Sequence, residues 1–275
     1  LPGSFDLALN ALRHLHEATV STQVNCTIAR HDAHQLEAVL RLAESVHADA
    51  MHYFLLVPVG CGEEIADDQM LDAHEVETRL HELVQLAETT ELQVKATCAP
   101  HYYRIIRQDA VAKGKPMPKR QGHGHPSGHP GGDAGGTGRG PANGGGHPRP
   151  DRPAMAMQAV TKGCLAGTGV CFVSHQGDVF PCGYLPVTAG NVTQQSIRQI
   201  WETSDVFMQL RDPDLLGGKC GPCEFKHVCA GCRARAFYQY GDFLAEEPVC
   251  EYVPVRLAAS AEPAPDRNTT SEATP

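Results

Sequence analysis

The residues in this sequence that could do chemistry are mainly cysteines, and they are concentrated in its second half. Eight of the eleven cysteines lie between Cys164 and Cys250. The densest group is a pair of CxxC motifs separated by five residues, formed by Cys220, Cys223, Cys229 and Cys232. Thiolates two residues apart in a turn can bind one metal centre, and sulfur ligands select zinc or iron–sulfur clusters over calcium or magnesium.

The spacing of the two CxxC motifs favours an iron–sulfur cluster. Zinc sites built from two such motifs usually have about 15–20 residues between them, whereas five residues separate them here. An iron–sulfur cluster needs four ligands, commonly three that are close in sequence and one that is remote. Zinc stays open as an alternative. Disulfides also stay open, although the odd number of cysteines speaks against a disulfide framework.

This cysteine pattern resembles the SPASM domain, the C-terminal auxiliary-cluster domain of many radical S-adenosylmethionine (SAM) enzymes. The resemblance covers about residues 160–254 and includes the segment GCLAG at 163–167, Gly177-x4-Cys182 and the CxxCx5CxxC stretch. The usual pattern has three residues before the seventh cysteine, where this chain has two. Within the superfamily, the segments at 163–187 and 232–237 resemble the branch that decarboxylates porphyrin propionates in heme b and heme d1 biosynthesis. The segments at 53–60 and 96–104 resemble barrel segments of the same branch.

The resemblance implies iron–sulfur ligands and cofactors. One auxiliary [4Fe–4S] cluster would be held by Cys220, Cys223, Cys229 and Cys250. A second would be held by Cys164, Cys171, Cys182 and Cys232. Cys171 has a second interpretation as a core thiol, because its neighbours Val170 and Phe172 are apolar. The complete enzyme would also use SAM.

The implied activity is that of a radical SAM oxidoreductase or decarboxylase acting on a porphyrin-type substrate. Its electrons would come from a protein such as ferredoxin or flavodoxin. The CxxxCxxC motif of this superfamily does not occur in the chain. We therefore expect either a C-terminal portion that is inactive alone or a natural relative without the SAM cluster. The alternatives are SPASM-type peptide maturation and an iron–sulfur electron-transfer or binding subunit with a degenerate barrel.

Substrate carboxylates need cationic partners, and arginine can bind them with two parallel hydrogen bonds. The candidates for substrate binding are Arg233, Arg235, His101, Tyr102 and Arg104. By family analogy, Asn25 and Thr27 would contact SAM. The structural alternatives are surface salt bridges for Arg233 and Arg235, a helix-start role for His101 and backbone hydrogen bonding for Asn25. Three further cysteines are interpreted as small buried side chains: Cys26, Cys61 and Cys98.

The elements that must position these residues follow from hydrophobic periodicity. Helical spacing appears at 5–18, 34–47, 73–89 and after Pro100, and β-rich runs appear at 21–29, 50–60 and 91–98. This alternation predicts an α/β fold with a parallel sheet. By resemblance, residues 1–112 would be the last three β/α units of a partial (β/α) radical SAM-type barrel, followed by a small cysteine-rich SPASM domain.

The rest of the chain divides by composition. We predict a flexible Gly/His/Pro-rich insertion at 113–154, the SPASM domain at 155–258 and a disordered tail at 259–275. Within the SPASM domain, a hairpin is expected at 169–182 and a helix at 195–203. The histidines of the insertion suggest either metal storage or a solubilising loop.

Composition and charge limit the compartment and the partners. A pI near 5.9 argues against a nucleic-acid-coating surface. No stretch approaches the roughly 20 apolar residues of a membrane span. Clustered cysteines of this kind are typical of reduced thiolates, which predicts a cytoplasmic protein without nucleic-acid or membrane partners.

Overall fold

The computed structural model of the chain describes residues 2–114 and 163–261. Two small sheets organise these residues, one parallel and one antiparallel. The architecture is thus a mixed α/β fold with a parallel sheet, as the periodicity predicts. No helix within these ranges is long and apolar enough to cross a membrane.

The parallel sheet comprises β1 (Gln23–Ile28), β2 (Ala50–Leu55) and β3 (Gln93–Thr97), in that spatial order. Tyr53 lies between Cys26 on β1 and Ala96 on β3. Its hydroxyl donates to the carbonyl of Leu36 at 2.6 Å, which satisfies a polar group in the interior. The predicted strand at 50–60 is shorter than expected and ends at Leu55.

Four of the helices of this half follow the predicted alternation, and the short helix Ala66–Gln69 was not predicted. The helices are α1 (Ser4–Glu17), α2 (Leu36–Ser45), α3 (Ala66–Gln69), α4 (Ala73–Ala87) and α5 (His101–Ala112). Asp72 and Glu75 form a capping box at the start of α4, which fixes where that helix begins. The helices and the sheet bury a common apolar core in which Leu40, Met51 and Leu80 are fully covered.

The antiparallel sheet comprises β4 (Phe172–Val173), β5 (Asp178–Phe180) and β6 (Gly190–Asn191). The first two strands form the predicted hairpin, whereas β6 has no signal in the sequence that would distinguish it from a loop. Gly177 lies in the hairpin turn with a φ of +87°, a conformation that favours glycine.

Four helices accompany this sheet: α6 (Ile197–Thr203), α7 (Asp205–Arg211), α8 (Arg233–Tyr240) and α9 (Val255–Ala261). Short 3₁₀ turns occur at Ala33–Gln35, Gly60–Gly62, Pro213–Leu215 and Gly218–Cys220. The predicted helix at 195–203 is confirmed as α6. The predicted disorder from residue 259 is wrong at its start, because α9 extends to Ala261. Most of the predicted insertion and tail lies outside the described residues.

Candidate metal centre

Four of the predicted ligands line one cavity. Cys220, Cys223, Cys229 and Cys250 surround about 370 Å³ of empty space, part of it open to solvent. Cys220 ends the turn Gly218–Cys220, and the N–H of Cys223 donates to the Cys220 carbonyl at 3.3 Å. The local chain turn therefore directs the first two thiols to the same cavity, as the CxxC spacing predicts.

The thiols surround the cavity and do not meet at one point. Within 2–114 and 163–261, no three His, Cys, Asp or Glu side chains are grouped closely enough to hold a single metal ion. A cluster of several irons and sulfides fills the space between its ligands. A cavity with four thiols around its wall therefore fits an iron–sulfur cluster.

Backbone amides point at two of these sulfurs. The N–H of Gly231 donates to Cys229 Sγ and the N–H of Glu247 donates to Cys220 Sγ, both at 3.4 Å. Hydrogen bonds to sulfur stabilise a thiolate and tune the potential of a bound cluster. Burial works in the opposite direction, raising the pKa of the Cys229 thiol well above its ordinary value. A thiol in such a place ionises when it coordinates a metal.

Cationic side chains also line the cavity, namely Arg104, Lys219 and Lys226. Both terminal nitrogens of Arg104 bond to the carboxylate of Glu77, at 2.9 and 2.5 Å. The guanidinium also lies 4.8 Å from the centre of the Tyr252 ring. These positive charges lie where a cluster with four thiolate ligands would carry negative charge, which supports the fit of the site.

The second predicted set of cysteines is only partly brought together. Cys182 and Cys232 pack in the same small apolar group. Cys171 packs in a different group, with Val179 and Phe207. Cys164 lines a further cavity of about 360 Å³. Cys98, which the sequence did not place in this set, packs in the same group as Cys182 and Cys232.

The residues predicted to bind substrate carboxylates are all buried, with exposed fractions of 0–3%: Arg233, Arg235, His101, Tyr102 and Arg104. Arg233 donates to the carbonyls of Phe243 and Ala245, at 3.0 and 2.7 Å. Internal partners therefore take up most of the donors of these arginines, while Nη2 of Arg233 and Nε of Arg104 are buried without a hydrogen-bond partner. Their burial also makes the alternative of surface salt bridges wrong for Arg233 and Arg235.

Arg235 and Glu247 form a buried ion pair that the sequence did not predict. The two side chains are 1% exposed and their charged atoms lie 2.8 Å apart. Burial alone would raise the pKa of Glu247, but the charge of Arg235 and the hydrogen bonds from Arg235 and the Cys232 N–H lower it to about 2. The signal that could have indicated this carboxylate is its position three residues before Cys250, inside the cysteine-rich stretch.

His101 is fully buried, and neither ring nitrogen has a hydrogen-bond partner. Its Nε2 lies 3.8 Å from the carboxylate of Glu247. Burial lowers the pKa of His101 to about 4, against the opposing influence of Glu247. His101 is therefore held as a neutral group at the start of α5, which agrees with the helix-start interpretation.

The remaining candidates lie on or near the parallel sheet. Asn25 and Thr27 are exposed on the same face of β1, and Asn25 accepts a hydrogen bond from Gln23 at 2.5 Å. Cys26 is half-buried, while Cys61 is exposed. The interpretation of Cys61 as a small buried side chain is therefore wrong, because it follows β2 in the exposed turn Gly60–Gly62.

Comparison with known proteins agrees with this site. Residues 164–233 match the family model described as SPASM, an iron–sulfur cluster-binding domain. The chain is 42% identical over 92% of its length to the AdoMet-dependent heme synthase of Methanosarcina barkeri, of which it covers 62%. It is 39% identical over 94% of its length to the same enzyme of Nitratidesulfovibrio vulgaris, of which it covers 61%.

Two further similarities are more distant. The pre-heme d1 synthase of Dinoroseobacter shibae is 26% identical over 90% of this chain, which covers 56% of it. The crystal structure of Streptococcus suis SuiB bound to S-adenosylmethionine matches 90% of this chain and 48% of its own, with a TM-score of 0.52 and 11% identity. This last similarity concerns the fold alone.

The chain spans about three-fifths of the length of the curated relatives it matches. These comparisons confirm the resemblance seen in the cysteine pattern and in the segments of the first half. The chain carries a match to the SPASM iron–sulfur domain at 164–233, and over nine-tenths of its length it is similar to AdoMet-dependent heme synthases.

Proposed function

We propose that this chain forms the auxiliary-cluster part of a radical SAM enzyme of heme biosynthesis. The observation that carries the proposal is the meeting of Cys220, Cys223, Cys229 and Cys250 at one cavity. The similarity to AdoMet-dependent heme synthases over 92% of the chain supports the metabolic assignment. The reaction would be the oxidative decarboxylation of porphyrin propionates, which leaves vinyl groups and releases carbon dioxide.

The four thiols of this cavity are the proposed ligands of one auxiliary [4Fe–4S] cluster. Such a cluster supplies a one-electron acceptor at a potential set by its surroundings. The chain contributes the amide donors of Gly231 and Glu247. These donors stabilise added negative charge and so raise the potential at which the site accepts an electron.

The parallel sheet supplies the second part of the proposal. Its three strands would be the last three strands of a radical SAM barrel, with SAM as cofactor near the exposed Asn25 and Thr27. The fold shared with a protein crystallised with S-adenosylmethionine supports this assignment. An electron donor such as ferredoxin or flavodoxin is the proposed partner. Eleven free cysteines suit a reducing compartment, and we propose the cytoplasm.

A second candidate is an iron–sulfur electron-transfer or binding subunit without SAM chemistry. It is supported by the cavity with four thiols around its wall, because that site could hold a cluster without any SAM chemistry. A mass-spectrometric assay with SAM, a strong reductant and iron-coproporphyrin III separates the two functions, provided that the polypeptide carrying the SAM-cluster motif is also present, because this chain has no CxxxCxxC motif. Loss of carbon dioxide from the porphyrin supports the decarboxylase. An unchanged porphyrin overturns it, and reversible reduction of the iron–sulfur site then supports the electron carrier.

The cluster itself is tested by anaerobic reconstitution. We expect iron and sulfide in equal amounts, and an EPR signal after reduction. Cys229→Ala should lose about four irons per chain relative to the unmodified protein, because it removes one of the four ligands. Cys61→Ala is the matched control, since Cys61 is exposed and away from the cavity. Stoichiometric zinc without sulfide would contradict the proposal.

A further inference from the structure

The SPASM pattern assigns Cys171 to a second set of four ligands, but the hairpin directs its side chain elsewhere. Phe172 pairs with Phe180 and Val173 pairs with Val179. Extending this register by one residue places Cys171 opposite Pro181. Because side chains alternate between the two faces of a strand, this register puts Cys171 on the face of Val179, whereas Cys182 lies two residues beyond the end of β5.

The packing agrees with this alternation. Cys171 lies against the core formed by Val179, Ile200 and Phe207, in which each of these three residues is at most 1% exposed. Cys182 lies instead against the group that contains Leu185 and Cys232. Cys171 and Cys182 therefore contact two different buried groups.

Cys98 lies where the fourth ligand is needed. It follows β3 directly and packs against the same buried group as Cys182 and Cys232. Its backbone has a φ of +55°, which is uncommon for a residue other than glycine and costs of order 1–3 kcal/mol. Strain of this kind persists where the surrounding structure enforces it, and it is frequent at functional sites.

Cys164 approaches the same place through its neighbour Gly163. A Cβ atom on Gly163 would lie 2.7 Å from the side chain of Pro100, which is two residues after Cys98. Cys98 packs in one group with Cys182 and Cys232. The segment of Cys164 is held beside that of Cys182, because the N–H of Gly167 donates to the Pro181 carbonyl at 3.1 Å.

The buried pair of Arg235 and Glu247 hydrogen-bonds to the backbone of two of these cysteines. Arg235 Nη2 donates to the carbonyl of Cys98 at 2.7 Å, and Glu247 accepts from the N–H of Cys232 at 2.5 Å. Arg235 and Glu247 are bonded to each other. A single rigid pair thus fixes the backbone on both sides of the group, so these residues act by positioning the cysteines.

We propose that Cys98 takes the place of Cys171, so that Cys98, Cys164, Cys182 and Cys232 hold a second iron–sulfur cluster. This inference rests on the proposed function, because it assumes that the protein binds iron–sulfur clusters. Three of the four ligands come from the cysteine-rich half, and the fourth comes from the carboxyl end of a strand in the parallel sheet. The second cluster would therefore join the two halves of the chain.

The test compares Cys98→Ala with Cys171→Ala in the reconstituted protein. We expect Cys98→Ala to lose about four irons and four sulfides per chain relative to the unmodified protein, with a change in the EPR spectrum. Cys171→Ala should keep the full content. Loss of iron in Cys171→Ala, or full iron content in Cys98→Ala, would overturn the proposal. Cys229→Ala tests the first cluster separately, so a failure here is distinguishable from a failure of the proposed function.

Alkylation of the unmodified protein gives a second measurement that does not depend on the folding of any variant. A cluster-bound thiolate is protected from an alkylating reagent, so Cys98 should react only after the iron has been removed with a chelator. Cys61 is exposed and should react in both states, which makes it an internal control. Equal labelling of Cys98 before and after chelation would overturn the proposal.

Discussion

At the residue scale, a histidine, an arginine and a carboxylate lie together in the interior, where almost no water reaches them. His101, Arg235 and Glu247 are each at most 1% exposed. Glu247 stays ionised because Arg235 compensates it, while burial keeps His101 neutral. Protonation of His101 is favoured by Glu247 and Glu77 and opposed by burial, Arg235 and Arg104. The net result is that His101 stays neutral down to a lower pH than an exposed histidine.

This histidine predicts a stability that falls in mild acid. Its pKa is about 4 in the folded chain and 6.5 in the reference state, so the unfolded chain binds the proton first as the pH falls. Stability is therefore fully present above pH 6.5 and is lost progressively down to about pH 4. The full loss is of the order of 3 kcal/mol.

The measurement is denaturant unfolding of the protein and of His101→Gln between pH 7 and pH 5. The variant should show a smaller loss of free energy of unfolding over this range, because it has no proton to bind. His34→Gln replaces an exposed histidine and serves as the control. All three proteins keep the same cysteines, so any effect of acid on the metal site is the same in each and cancels in the comparison. Parallel pH dependences in all three would contradict the prediction.

At the element scale, a close approach joins the start of the cysteine-rich half to two other segments. The N–H of Gly163 donates to the Val228 carbonyl at 2.6 Å, and that of Cys164 donates to the Cys229 carbonyl at 3.2 Å. A Cβ atom on Gly163 would lie 2.4 Å from the carbonyl oxygen of Cys229. Glycine is needed at position 163 because a larger side chain would clash with the Cys229 carbonyl. The close contact places Cys164 next to the turn that contains Cys229.

Gly163→Ala should therefore destabilise the fold by about 1–3 kcal/mol, because the contacting atoms are backbone and the side chain of a proline, which cannot turn away. Thermal unfolding measures the effect, and iron retention reports whether the turn at Cys229 has moved. Gly183→Ala is the matched control, since a Cβ there would meet no atom within 4 Å. Equal unfolding temperatures for the two variants would show that the approach at Gly163 is not tight.

At the scale of the whole molecule, one side chain ties the parallel sheet to the cysteine-rich half. Arg235 on α8 donates to the carbonyls of Leu56 and Cys98, which follow β2 and β3. These bonds satisfy carbonyls at the carboxyl ends of the strands. Glu247 neutralises the arginine, so the connection depends on a buried charge that has a single carboxylate partner in direct contact.

Glu247→Gln should cost about 3–5 kcal/mol of the free energy of unfolding, because it leaves the guanidinium of Arg235 buried without its counter-charge. The control is Glu202→Gln, which breaks the exposed pair with Arg198 and should change stability by less than about 1 kcal/mol. Denaturant titration of both variants measures the difference. A cost at Glu247 as small as that at Glu202 would refute this role of the buried pair.

The sequence by itself determined those features that depend on neighbours along the chain. Hydrophobic periodicity located the three parallel strands, and the CxxC spacing identified Cys220 and Cys223 as residues of one turn. Both signals are local. Side chains along a strand alternate between its two faces, and a turn brings together residues that are a few positions apart. The α/β character and the match to an iron–sulfur domain follow from such signals.

The tertiary structure decided what depends on segments that are distant in sequence. Arg235 bonds to Cys98 across 137 residues, and no pattern near either residue indicates the other. The same holds for Cys98 beside Cys232, and for the burial of the arginines that the sequence assigned to a substrate. An arginine next to a cysteine motif has the same sequence pattern whether its side chain binds a substrate or an internal carboxylate. Only the packing of the two halves fixed which of these partners each charge has.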